Sequence, residues 1–265
     1  MLKFALFIGL LAGPAAAHEF WLEPTAYQVA SEGRLEANIV NGQFFEGVIL
    51  PYVPQRFAHF SAFAGETSGQ VAGRIGDSPA LNIAALDDGL NVVAYQARNA
   101  TVTYEDWDTF DTFVKHKDLG DLPARHAERG LPLENFVEVY SRYSKTLIGV
   151  GHSAGSDRRL GLETEIVALT NPYTDDLTDG MQVQLFYLGK LRTDSQIEVF
   201  EKTAEGTVTT SFVRTDADGI ATVPVTSGNS YMLDAVVLRE PVGQLASDTG
   251  AGYESLWANL TFAAP

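Results

Sequence analysis

The chain has 265 residues, a formal net charge of −16 at pH 7 and no cysteine. This length allows one large domain, or two domains of common size that each have a hydrophobic core. The acidic surface disfavours nucleic acid and anionic lipid as partners. The lack of cysteine excludes disulfides, thiolate metal sites and thiol nucleophiles.

Residues 1–17 have the pattern of a cleaved export signal. Lys3 supplies a positive charge, an apolar run follows from Phe4 to Leu11, and small residues end the segment at Ala15 to Ala17. The apolar run is shorter than the roughly 18 residues that a membrane-spanning helix needs. The sequence therefore predicts a signal peptide, a periplasmic protein that does not insert into the membrane, and a mature chain that begins at His18.

Residues 18–155 are predicted to form a mainly β N-terminal domain with a short helical insert. Apolar residues recur every three or four positions over 104–118, which is typical of an amphipathic helix. A second short helix is predicted over 122–129, just before Gly130. The candidate strands of this part are 34–40, 70–75, 90–96 and 145–150.

Residues 156–265 read as a C-terminal domain of short strands separated by turns. Val183, Leu185 and Tyr187 alternate with polar residues, as expected for a half-buried antiparallel strand. The predicted fold class is all-β, with mainly antiparallel sandwiches of immunoglobulin-like or transthyretin-like type. The candidate strands are 162–169, 182–187, 196–201, 207–214, 220–225 and 231–238.

Three segments resemble a known family: HEFWLEP at His18 to Pro24, YSRYSKTL at Tyr140 to Leu147, and WANLTF at Trp257 to Phe262. They are similar to a bacterial periplasmic domain-of-unknown-function family associated with nickel or cobalt uptake. The resemblance implies a carboxypeptidase-regulatory-like, transthyretin-like sandwich in the C-terminal half. It implies no catalytic residues.

His18 is the leading candidate for a metal ligand. In a mature chain its α-amine, with an unperturbed pKa near 7.7 to 8.0, stands beside its imidazole, with one near 6.5. Both nitrogens can lose their protons near neutral pH and form one chelate ring, which suits copper(II) or nickel(II). The alternative is that signal cleavage leaves a histidine there incidentally.

A further nitrogen from another histidine would complete a histidine brace. His126 and His152 are the favoured second ligands, although His126 is also explained by its place near a helix C-terminus. Glu19 is the candidate for an oxygen ligand or a nearby charge. His59 is expected to be a strand or core residue, and His116 to lie on the solvated face of the predicted helix.

These features together predict a non-enzymatic carrier of copper, nickel or cobalt, or an accessory to metal uptake, with a membrane metal transporter as a possible partner. One alternative is a β-sandwich module that binds a protein, peptide or glycan. Another is a copper-dependent oxidoreductase that uses the same N-terminal brace.

Overall fold

The computed structural model describes residues 18–265, so the predicted signal peptide over 1–17 lies outside the described residues. Strands dominate these residues, and three short α-helices join them. The strands are β1 (Glu19–Pro24), β2 (Gln28–Val29), β3 (Arg34–Gln43), β4 (Glu46–Leu50), β5 (Phe57–Ala64), β6 (Thr67–Gln70), β7 (Leu81–Ala84), β8 (Gly89–Ala97), β9 (Ala100–Tyr104), β10 (Phe136–Val150), β11 (Thr164–Ala168), β12 (Met181–Tyr187), β13 (Lys190–Leu191), β14 (Gln196–Lys202), β15 (Val208–Arg214), β16 (Ile220–Val223), β17 (Ser230–Arg239) and β18 (Ala251–Ala263). The helices are α1 (Trp107–His116), α2 (Pro123–Glu128) and α3 (Leu245–Thr249).

A 10-stranded sheet forms the centre of the molecule, with its main path in the order β15-β14-β17-β18-β10-β8-β5-β6. β2 and β9 also pair with β10. A 4-stranded sheet of β1, β3, β4 and β7 and another of β11, β12, β13 and β16 complete the β-structure of the described chain. The fold is therefore all-β, as predicted, and its sheets are mainly antiparallel.

The two smaller sheets cover opposite faces of the central sheet. Consecutive side chains of a strand point to opposite faces. In β8, Val92 packs into the core beneath β11 and β12, whereas Val93 packs into the core beneath β1 and β3. Leu147 and Ile148 of β10 divide between the same two cores. Val92 to Tyr95 of β8 therefore form a continuous apolar run, because both faces of the strand are buried there.

Most predicted elements are present with bounds shifted by a few residues. The predicted 104–118 helix is α1 and starts three residues later, since Tyr104 still belongs to β9. The predicted strand 70–75 is wrong: β6 ends at Gln70, and the amide of Arg74 donates a hydrogen bond to Asp77 in a turn (2.7 Å). The sequence also did not predict the parallel pairing of β10 with β18.

The central sheet contains strands from both predicted domains, 18–155 and 156–265. β10 from the first part pairs with β18 from the second over Val137 to Thr146. The division near residue 155 stays a prediction, and the two parts share a sheet. Among residues 18–265, no helix is long and apolar enough to cross a membrane.

Candidate functional site

His18 lies at the start of β1, where the central sheet holds its backbone. Its carbonyl oxygen accepts a hydrogen bond from the Arg142 guanidinium at 2.9 Å, and two residues on, the Phe20 carbonyl accepts one from the Ser144 hydroxyl at 2.9 Å. β10 therefore fixes the chain on both sides of Glu19, the residue that follows His18. The imidazole consequently projects from an anchored strand.

The His18 imidazole is half-buried, and its Nδ1 atom is buried without a hydrogen-bond partner in the described part of the chain. Burial, and secondarily the positive charge of Arg142, hold the pKa of this imidazole below its usual value. The ring is therefore neutral at physiological pH. A neutral, unpartnered Nδ1 is a nitrogen available to a metal ion.

Glu19 does not share the His18 site. Neighbouring side chains in a strand face opposite sides, and the Glu19 carboxylate accepts a hydrogen bond from the Lys117 ammonium at 3.1 Å. The structure thus places this predicted oxygen ligand in a different cluster, between β1 and α1. Glu19 and the His18 imidazole are separated because side chains alternate along β1. Phe20 and Trp21 of the same strand also enter different cores.

His126 is a structural residue of the aromatic core under α1. It is 1% exposed, and its ring nitrogens lie 3.0 Å from the Tyr253 hydroxyl and 3.0 Å from the Pro132 carbonyl oxygen. Both nitrogens are therefore engaged. The prediction of His126 as a second metal ligand is not supported, because binding a metal would break one of these buried hydrogen bonds.

His152 lies at the far end of β10 from His18. The residue follows Val150, the last residue of β10, whereas the His18 carbonyl contacts Arg142 on the same strand. Arg142 lies eight residues of strand before Val150, a span on the order of 26 Å, and His152 follows two residues later. Its Nδ1 accepts a hydrogen bond from the Ala154 amide at 3.1 Å. The structure does not bring the two predicted histidine ligands together.

A buried charge cluster, which we call the Lys117 cluster, lies beside Glu19. The Lys117 ammonium donates to Glu19, to Glu198 at 2.6 Å and to Asp234 at 2.8 Å. All four residues are buried. Oxygens of the three carboxylates lie within 4.8 Å of one another, which is metal-ligand spacing, but the ammonium bonds to all three and supplies the cation.

Sheet pairing brings the Lys117 cluster together. Glu198 of β14 is directly opposite Asp234 of β17, and α1 ends above this pair. Burial raises the pKa of Asp234 and of Glu19, and the Lys117 ammonium opposes the rise. The pKa of Lys117 is raised by the carboxylates, which outweigh its burial. The lysine therefore remains charged.

Sequence reasoning missed Lys117, whereas the prediction that His116 lies on a solvated helix face is confirmed, since His116 is exposed. His116 lies with its Nε2 atom 2.8 Å from Glu198, and Lys117 is 7% exposed. A usable signal was present, because Lys117 follows Phe113 and Val114 by four and three residues and so continues the buried stripe of α1. Glu198 and Asp234, two of its three acidic partners, gave no local signal, since they come from strands far along the chain.

The chain is similar to one described family over most of its length. The family model "Domain of unknown function (DUF4198)" matches residues 15–239. No curated protein matches the chain. A solved structure titled "Crystal structure of tetra-tandem repeat in extending region of large adhesion protein" is 9% identical, with a TM-score of 0.21 over 93% of this chain and 50% of that chain. The chain thus spans half the length of that structure, and a similarity this low supports no inference about function.

Proposed function

We propose that this chain, which belongs to the family "Domain of unknown function (DUF4198)", is an exported periplasmic protein that binds one transition-metal ion through His18. The metal is copper, nickel or cobalt. The protein acts as a carrier or as an accessory to metal uptake, and it is not an enzyme. The proposal requires removal of residues 1–17, so that the His18 nitrogen becomes a free amine.

The observation that carries the proposal is the buried, unpartnered Nδ1 of His18 on an anchored strand. An isolated buried nitrogen without a partner costs free energy, on the order of 1–3 kcal/mol. A metal ion held by Nδ1 and the adjacent α-amine would satisfy this atom. The resulting chelate ring uses only groups of one residue, so it needs no other side chain to be in place.

Two nitrogen donors leave several coordination positions of the metal open. Glu19, His126 and His152 are engaged elsewhere or distant, so they are left out of the proposed ligand set. Open positions allow ligands of another protein to take the ion. A membrane metal transporter is a partner that could supply such ligands. A site with open positions supports a protein that passes the ion on rather than one that stores it.

We expect 1:1 binding in calorimetric titrations of the correctly processed chain with copper(II), nickel(II), cobalt(II) and zinc(II). His18→Ala, or one extra alanine before His18, should weaken binding at least 100-fold, because each removes one chelating nitrogen. Binding should also weaken from pH 8 to pH 6, since protons compete for the amine.

The matched control is His152→Ala, which removes an exposed histidine outside the proposed site. Its titration should equal that of the unmodified mature chain. Equal binding by the alanine-extended chain would refute a terminal-amine site, and loss of binding in the His152 variant would place the metal elsewhere.

A further inference from the structure

A cavity of about 360 Å³ opens beside the Lys117 cluster, between α1 and the hairpin of β3 and β4. Pockets of this size accommodate small molecules. Its inner end is lined by the buried Glu19, Lys117 and Glu198, and His116 stands at its edge. The cavity lies away from the His18 imidazole, which is not part of its lining.

The inner end of the cavity has an excess of negative charge. Three carboxylates share the single ammonium of Lys117, and Arg142 acts more distantly on Asp234. The Glu19 carboxylate accepts the Lys117 hydrogen bond through Oε1. In the same cluster, Asp234 Oδ1 is buried without a hydrogen-bond partner among residues 18–265. Glu19 is only 6% exposed. A group of buried carboxylates with one ammonium between them favours a further cationic hydrogen-bond donor in the cavity.

The walls of the cavity are apolar and aromatic. Phe113 of α1 and Phe200 of β14 form the buried wall, and Phe44 forms the outer one. Phe44 is 59% exposed, which is uncommon for such a large apolar side chain. Aromatic faces attract cations as well as apolar groups. The cavity therefore combines an anionic end with walls that suit an apolar body.

The hairpin turn aims Phe44 at the cavity. Gln43 pairs with Glu46, so Phe44 and Phe45 form a two-residue turn, with φ values of +53° and +59°. Such turns normally carry asparagine or glycine, because bulky residues are strained there. Phe45 turns inward and packs edge-on against Trp21, which leaves Phe44 outside. The strained turn thereby holds one aromatic ring in the core and one at the cavity.

We infer that this cavity binds a small organic ammonium ion, with its charged nitrogen at Glu19 and its apolar body against Phe44, Phe113 and Phe200. A metal ion is disfavoured at this place, because the Lys117 ammonium already lies among the three carboxylates. An anionic ligand is disfavoured too, since each carboxylate would repel it and Lys117 has three acceptors already. The site is separate from the proposed metal chelate.

The test uses the mature chain and three probes of similar shape: 2-phenylethylammonium, neutral 2-phenylethanol and anionic phenylacetate. In calorimetric titrations the ammonium should bind at least tenfold more tightly than either other probe. Glu19→Gln should remove this preference, because the amide keeps the shape but not the charge. Glu205→Gln, which neutralises an exposed carboxylate elsewhere, is the matched control and should change nothing.

A second variant tests the cavity without changing any of its buried charged residues. Thr112 is an exposed residue of α1 in the cavity lining, and Thr112→Trp should fill the cavity mouth and abolish ammonium binding. It should leave metal binding at His18 unchanged, so the two proposals fail separately. Equal affinities for the three probes, no binding of the ammonium, or unaltered binding by Thr112→Trp would overturn the inference.

Discussion

Glu138 shows how a single buried carboxyl can make the stability of this protein depend on pH. Its side chain is fully buried on β10, where the Tyr104 hydroxyl donates to it at 2.8 Å and the Ser255 hydroxyl donates to its other oxygen. Burial raises the pKa of Glu138 to about 7, although both hydrogen bonds and Arg142 oppose the rise. The folded state thus holds a proton that the unfolded state releases at lower pH.

The sign of the effect follows from this raised pKa. Below the unfolded value near 4.5 the stabilising contribution of the protonated Glu138 is fully present, and it is lost as the pH rises through about 7. We expect Glu138→Gln, which imitates the protonated form, to be within about 1 kcal/mol of the original at pH 5, where only the first part of the contribution is lost. At pH 8 it should be more stable by about 3 kcal/mol. Urea unfolding at the two pH values measures the difference.

Glu134→Gln is the matched control, because Glu134 is an exposed carboxylate just before the same strand. It should not alter the pH dependence of unfolding. A stability difference for Glu138→Gln that is the same at pH 5 and pH 8 would contradict a titrating Glu138. Nothing in the local pattern of β10 revealed this residue, because its hydroxyl partners come from β9 and β18.

At the scale of elements, α1 depends on both local and long-range contacts. Its N-cap is local: the Asp106 carboxylate accepts a hydrogen bond from the Thr109 amide at 2.8 Å. Its buried face is long-range, and Phe110 and Phe113 pack on Tyr253 and Trp257 of β18. The helix also forms one wall of the cavity. Its stability therefore affects the shape of that site.

We expect Asp106→Ala to destabilise the protein, because it removes the N-cap hydrogen bond of α1. The free energy of unfolding in urea measures this cost, and hydrogen exchange should show faster opening in α1. Asp121→Ala, a change at an exposed aspartate in the loop after α1, should stay within about 0.5 kcal/mol. Equal effects of the two changes would argue against the capping role.

The sequence predicted individual strands better than their pairing. The alternation of β12 and the strand over 90–96, which is β8, were both predicted, because each depends on a local pattern of apolar residues. The parallel contact of β10 with β18 was not, since the strands are separated by about a hundred residues and a periodic pattern does not specify a partner.

At the scale of the whole molecule, the central sheet joins the two predicted domains. β18 lies between β17, from the second predicted domain, and β10, from the first. It therefore pairs with a strand of each predicted domain. Leu90 and Leu147 share one core with residues of β11, β12, β14, β16 and β17. The Lys145 ammonium also bonds to Asp157 at 2.8 Å and to Glu165 at 3.2 Å, across the predicted boundary near residue 155.

We therefore expect residues 18–155 and residues 156–265 to be unfolded when produced separately. The first fragment lacks β18, and the second leaves the β10-facing edge of β18 unpaired. The intact mature chain should unfold in one cooperative transition. Calorimetry of the chain and amide NMR dispersion of the fragments test this. Two fragments that each melt cooperatively would instead establish an independent domain boundary near residue 155.

The sequence by itself determined the fold class, most strands, both helices of the insert and the absence of thiol chemistry. It also singled out His18, since a terminal chelate needs only one residue. These features depend on composition and on local periodicity. Both can be read from a segment of sequence without knowing which other segments pack against it.

Only the tertiary structure decided which side chains meet. It separated Glu19, His126 and His152 from the His18 imidazole, and it gathered Glu19, Lys117, Glu198 and Asp234 around one ammonium. The reason is physical: a strand's alternation fixes which face a side chain takes, whereas sheet order and register decide what faces it. Sheet order and register depend on the packing of the whole chain.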